Sequence, residues 1–291
     1  MFQRYFDIFI SGYSDYFNYL LNEIMNPNFY NYFYLLIGIS LVVWILEILF
    51  PWRKNQSAFR KDFFLDAFYM FFNFFIFNLI IFNALTKLSS TFFSDVISAL
   101  GFSSFDFISI ASFPDSVQLV LIFLVTDFIQ WNIHRLLHSV PFLWKFHKVH
   151  HSVQEMGFAA HLRYHWMESV VYKSLQFIPL ALIGFSVENL FIVYIFQIIV
   201  GHFNHSNLNL TYGPLKYIIN NPVMHIWHHA KNIPPDLNGV NYGITLSIWD
   251  YLLKTNYIPS DGKNIELGFN SVELYPENFF KQTVFPFYDK G

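Results

Sequence analysis

Cysteine is absent from all 291 residues. That excludes a disulfide framework, a thiolate metal site and a thiol nucleophile. Charge is scarce as well: Asp, Glu, Lys and Arg make up 13% of the chain, where an ordinary soluble domain has roughly 25%. With 17 basic and 20 acidic side chains the formal net charge is −3, and no basic tract occurs, which argues against a nucleic-acid partner. What the chain has in excess is apolar and aromatic. Hydrophobic residues reach 54% and aromatics 22%, including 38 Phe and 18 Tyr. So few charges cannot easily cover a water-exposed surface, and the expected class is an integral membrane protein.

Apolar runs give the organisation. The first thirty residues lack the pattern of a cleaved signal peptide, being interrupted by Asp7, Asp15 and Glu23. Spans are expected at 32–50, with Glu47 as its only charge, at 67–86, and at 117–133, with Asp127 near its end. The apolar region 170–200 is divided by Pro179, Gly184 and Glu188 and is read as a re-entrant helical hairpin. The loop 51–61 carries Arg53, Lys54, Arg60 and Lys61 and no acid, a positive-inside signal, whereas 87–116 carries Lys87 against Asp95, Asp106 and Asp115. The third span would then return the chain to the cytoplasm. The expected fold is all-α, with multi-pass membrane helices and a cytoplasmic helical cap. Its expected parts are a membrane-spanning region at 1–116, a part at 117–255 that holds every histidine, and a tail at 256–291. The tail is polar and Pro-punctuated, then ends in the apolar VFPFY (284–288), so it lies either on the membrane surface or loose.

All twelve histidines fall between His134 and His229, in the blocks HRLLH (134–138), HKVHH (147–151), HLRYH (161–165), HFNH (202–205) and HIWHH (225–229). On a helix, residues three and four apart share a face, so His134 converges with His138, and each HxxHH block converges likewise. Within HxxHH the adjacent histidines diverge by about 100° while the outer pair stays aligned, so each block can serve two neighbouring metals. Two such blocks plus an HxxxH pair exceed the three or four ligands of one zinc site and point to a dinuclear centre. His205 is favoured as a further ligand. His161, His165 and His202 are either ligands, partners of ligand rings or hydrogen-bonded helix residues. All-nitrogen ligation suits iron, copper, nickel or zinc. No HExxH is present. Glu155, Glu168 and Glu188 are the only glutamates in the window, too few for a carboxylate-rich di-iron bundle.

The runs DFIQWNIHRLLH (127–138), HKVHH, RYHWMES (163–169), NHSN (204–207), HIWHH and NYGITLSIWD (241–250) resemble the fatty acid hydroxylase/sterol desaturase superfamily of integral membrane di-iron enzymes. Only eight residues separate His138 from His147, as in that group and unlike acyl-CoA desaturases. The resemblance implies two iron ions ligated by His134, His138, His147, His150, His151, His205, His225, His228 and His229. It also implies O2 as co-substrate, a lipid substrate whose C–H bond is hydroxylated or desaturated, and a separate electron donor such as cytochrome b5 or ferredoxin. Asp127 and Asp250 are candidates to accept N–H bonds from ligand rings, or else are helix caps or ion-pair partners, and Glu168 is a candidate for either metal or ring contact. Trp166 stands where many relatives have proline, Lys254 where the usual residue is glycine, and His161 and His202 are extra. A non-catalytic metal-binding or transport protein would spread its histidines along the spans, and a membrane zinc hydrolase would keep three ligands and a general base. Both fit the gathered imidazole excess less well. The composition leans bacterial and no ER-retrieval signal ends the chain, so an inner membrane is expected over the ER.

Overall fold

The computed structural model describes residues 2–28, 31–101, 110, 112–183 and 187–288. Among the described residues the chain is helical, with two isolated β-bridges, Ile219 to Leu246 and Ala230 to Leu267, and no strand.

Among the described residues three helical stretches are long and apolar enough to cross a bilayer: Tyr32–Leu49, Phe63–Ile80 and Asp115–Ser139. The first is helix α2, and α1 is the helix Phe2–Met25 before it. Asn31 starts α2: its Oδ1 accepts the Tyr34 N–H at 3.1 Å and its Nδ2 donates to Glu23 O at 2.6 Å. Pro51, two residues past Leu49, keeps the helix from continuing. The second span combines α3 (Phe63–Phe71) with the π-helical turns Phe72–Ile76 and Asn78–Phe82, and the helix runs on as α4 (Asn83–Ala99). At 1.5 Å per residue this rod is roughly 55 Å long, well beyond a hydrocarbon core.

The first part of 87–116, between the second and third expected spans, is helix. It pairs antiparallel with α1, through Arg4 to Asp95 at 2.7 Å and Lys87 to Asp15, with Gly12 against Ala84. The acids that interrupt the N-terminal sequence therefore mark a helix with polar partners. Asp106 lies outside the described residues.

Helix α5 (Asp115–Ser139) carries the first histidine pair at its C-terminal end. The chain turns at Val140 (φ −97, ψ 113), an extended conformation imposed by the following proline, and Pro141 opens α6 (Pro141–His151). This one-residue joint brings HRLLH against HKVHH. The apolar region beyond folds as α7 (Trp166–Ile183) and α8 (Val187–Asn204). Two helices were expected there. Pro179 falls within α7, and Gly184 lies outside the described residues. Asn221 caps α9 (Pro222–His228) by accepting the Met224 N–H at 3.0 Å. Helix α10 (Ile248–Leu252) and the C-terminal α11 (Phe279–Tyr288) complete the chain.

The α2–α3 loop docks on the histidine-bearing cap. Glu47, the lone charge of the first span, accepts N–H bonds from Asn207 (2.7 Å) and Phe158 (2.9 Å). Of the four basic residues counted as an exposed signal, two turn inward. Arg60 pairs with buried Asp66, and Arg53 donates to Met156 O at 3.2 Å. Only Lys54 and Lys61 remain exposed. A guanidinium has five donors and so can bridge carboxylates and carbonyls inside a protein.

The tail is packed rather than loose. Phe279 sits 4.6–5.0 Å from Phe68, Tyr69 and Phe72, Phe287 lies 5.5 Å from Phe146, and Gln282 accepts the Tyr69 O–H at 2.9 Å.

Candidate metal centre

Nine buried histidines form two groups. His134, His138, His147, His151 and His228 make one, and His150, His205, His225 and His229 the other, with the ligand atoms of each group within 4.8 Å of one another. The partition follows helical geometry. Each i,i+4 pair (134/138, 147/151, 225/229) points into one group, while the neighbour of an aligned pair, His150 or His228, goes to the other. These are the nine residues that the motifs single out.

Backbone carbonyls set the tautomers. A carbonyl oxygen only accepts, so a ring nitrogen bonded to one must carry its proton. Nδ1–H of His134 donates to Tyr242 O (2.8 Å), that of His150 to Arg163 O (3.0 Å), that of His205 to Gly201 O (2.8 Å) and that of His228 to Val240 O (2.7 Å). His147 uses a carboxylate instead, with Nδ1 2.8 Å from Glu168 Oε2. In each neutral ring Nε2 is then a bare lone pair.

Those lone pairs face inward. Nε2 of His147 and of His228 are buried without a hydrogen-bond partner. Nε2 of His150 and of His205 are 3.3 Å apart, and with both Nδ1 atoms protonated no hydrogen lies between them. Nε2 of His225 is 2.9 Å from that of His205 and 3.2 Å from that of His229. The two bare lone pairs of His150 and His205, facing each other at 3.3 Å, repel unless a cation lies between them. The donor set therefore fits metal ions, and imidazole nitrogen with pinned tautomers is the environment such ions require.

Burial disfavours charged imidazole throughout the cap. It holds His147, His151, His225, His228 and His229 well below the ordinary histidine value, and His150 at about 3. The rings are neutral at pH 7, the form that binds metal. Burial also lifts the Glu168 carboxyl to about 8, so a positive charge in the adjoining group favours the carboxylate that can accept the His147 N–H.

The other candidates behave differently. Asp127 and Asp250 touch no histidine. Asp127 accepts Trp249 Nε1–H at 2.8 Å, and Asp250 accepts Trp131 Nε1–H (3.0 Å), the N–H groups of Tyr242 (2.9 Å) and Gly243 (2.8 Å) and the Thr255 O–H (2.6 Å). Asp250 thus shapes the 241–255 turn that presents Tyr242 O to His134, and the carbonyl does what the aspartates were expected to do. His165 joins α7 to α11, donating from Nε2 to Thr283 O at 2.8 Å while Nδ1 accepts Met167 N–H at 3.1 Å. His161 and His202 bond each other at 2.9 Å beside His205 and stand outside the two groups.

The tautomer-setting carbonyls carry no residue-type signal and were not foreseen. Trp144 was also missed, although it stands at i−3 from His147. Its ring centroid lies 5.0 Å from that of His138 and 5.2 Å from that of His151.

Membrane-spanning helices that end in a buried double cluster of imidazoles define an integral membrane protein with histidine groups suited to a metal site. Residues 119–255, the stretch that contains every histidine, match the family model described as fatty acid hydroxylase. The chain is 32% identical over 178 residues to an ornithine lipid hydroxylase, OlsE, of Rhizobium tropici, covering 61% of this chain and 53% of the relative. It is 32% identical over 145 residues to the alkylglycerol monooxygenase of Xenopus tropicalis (49% and 31% covered) and 34% identical over 134 residues to that of Caenorhabditis elegans (44% and 25% covered). The chain thus spans about half or less of the length of these relatives. No solved structure matches it.

Proposed function

We propose that the chain is an O2-dependent di-iron membrane oxygenase that inserts oxygen into an unactivated C–H bond of a lipid. The observation that carries this reading is the five-and-four arrangement of neutral imidazoles with inward lone pairs at the end of the spans. Iron held there by His134, His138, His147, His151 and His228, and by His150, His205, His225 and His229, would supply the O2 and C–H chemistry. The chain's own groups hold the rings. The Tyr242, Arg163, Gly201 and Val240 carbonyls and Glu168 keep Nδ1 protonated and Nε2 free, and the apolar wall of Trp144 and Tyr242 excludes water from the five-histidine group.

Hydroxylation is favoured over desaturation because the relatives are named as a hydroxylase and as monooxygenases. Their names also favour a polar-headed lipid as substrate. The electrons would come from a separate donor of the cytochrome b5 or ferredoxin kind. The reading keeps the division into a membrane region 1–116, a catalytic part 117–255 and a tail 256–291 on the membrane surface. It also keeps a cytoplasmic site in a bacterial inner membrane. Exposed Phe280, Val284 and Phe287 on α11 support the surface placement of the tail.

The test is the iron content of the purified protein together with lipid analysis of cells with and without the gene. Wild type is expected to hold two irons and to yield an O2-dependent hydroxylated lipid. His150→Ala should hold one or none and yield no product. Full metal content after that change would contradict the role of His150.

A further inference from the structure

The two histidine groups are unequal, and the shortfall has a location. Three ligand-bearing helices each give an i,i+4 pair to one group, but α8 gives only His205 to the four-histidine group. One turn before His205 on the same helix face is Gly201. A Cβ on Gly201 would lie 2.2 Å from both Cε1 and Nε2 of His161. The imidazole of His161 therefore occupies the notch that a side chain at 201 would fill, and its ring centroid is 5.1 Å from that of His205 with the planes 31° apart.

One hydrogen-bond order along the chain through Ser40 and His202 leaves Nε2 of His161 free. Ser40 Oγ–H donates to Met70 Sδ at 3.5 Å. Ser40 Oγ then accepts from His202 Nε2–H at 3.1 Å, and His202 Nδ1 accepts from His161 Nδ1–H at 2.9 Å. In a neutral ring this order leaves His161 Nε2 as a bare lone pair, the tautomer that His150 and His205 also present.

We propose that His161 is a fifth imidazole for the four-histidine group, standing in from a neighbouring loop for the helical partner that Gly201 denies to His205. The inference rests on the reading of the two groups as metal sites. His202 and Ser40 are positioning residues that hold the His161 ring with Nε2 unprotonated. His161 stands outside the 4.8 Å spread of the other four, so its ring closes on the cation when the cation binds.

The experiment uses the full chain in detergent, loaded with cobalt(II). Three readouts are taken: bound cobalt per chain, the visible absorption that separates four- from five-coordinate cobalt, and the rate of release to EDTA. His161→Phe keeps the ring volume and removes the nitrogen. It should release one of two cobalts on the order of tenfold faster or more and shift the spectrum toward lower coordination. His161→Ala combined with Gly201→His returns an imidazole to the notch from α8 and should restore wild-type release. His161→Phe with wild-type spectrum and release overturns this inference alone. Faster release with an unchanged spectrum and no rescue assigns His161 to packing and also overturns it. A wild-type chain that holds no pair of cobalt ions overturns the metal-site reading and this inference together.

Discussion

At the scale of single residues, the site depends on which nitrogen of each ring bears the proton. Four rings take their tautomer from a carbonyl, and His147 takes it from Glu168 only in the carboxylate form, which burial disfavours. Glu168→Gln keeps an acceptor of the same shape but removes the negative charge that a cation would stabilise. It should lower the affinity for one of the two metals by about 10- to 100-fold and leave the other unchanged, as read by competition with a chelator. Affinities for both metals unchanged from wild type would show that the charge of Glu168 contributes nothing. Eight of the nine histidines were legible from their spacing, because residues three and four apart share a helix face. His205 has no such i,i+4 partner, and the full set rested on the family resemblance. The partners of the rings were not legible, since any residue supplies a carbonyl. Asp127 and Asp250 attracted attention as buried acids, and their bonds go to tryptophan and backbone N–H groups instead.

At the scale of elements, short joints and turns position the rings. The pre-proline residue Val140 sets α5 against α6, and the 241–255 turn sets Tyr242 O against His134. The turn closes where Thr255 N–H donates to Asp250 O at 2.9 Å and Asn241 N–H to Thr255 O at 2.9 Å. Just before Thr255, Lys254 adopts φ 59, a left-handed conformation that glycine adopts without steric cost. That strain costs about 1–2 kcal/mol, while glycine gives back about 0.5–1 kcal/mol through the unfolded chain. Lys254→Gly should therefore stabilise the protein by up to about 1 kcal/mol, seen as a higher melting temperature in detergent. A lower one would mean that the lysine side chain contributes more than its backbone costs. The spans were read from apolar length. The pairing of α1 with α4 escaped that reading because its polar contacts, such as Arg4 to Asp95, join residues far apart in the chain.

At the scale of the whole molecule, the cap buries neutral histidines that the unfolded chain would expose, and this couples stability to pH. An unfolded imidazole titrates near 6.5, while the folded metal-free protein holds His150 at about 3 and its neighbours well below the ordinary value. Below pH 6.5 the unfolded state binds protons that the folded state refuses, so stability is greatest above that value and falls as pH drops toward 3. The melting temperature of metal-free protein should decline steeply from about pH 7 to about pH 5. A flat profile would mean the rings protonate without loss of structure.

The absence of cysteine opens a second test. Single cysteines at exposed positions 54 and 101 should label from opposite faces of the membrane, with 54 on the cytoplasmic side. Labelling of both from one face would contradict three crossings.

Composition and helical periodicity were enough to specify a membrane chain with imidazoles facing one another in two sets, because apolar length and side-chain direction are local properties of a helix. How the sets divide five against four depended on how α5, α6, α8 and α9 cross. The inward turn of Arg53 and Arg60, the carbonyl that fixes each ring and the filling of the Gly201 notch by His161 likewise came from packing. Each of those contacts joins distant parts of the chain, and no local pattern encodes such a distance.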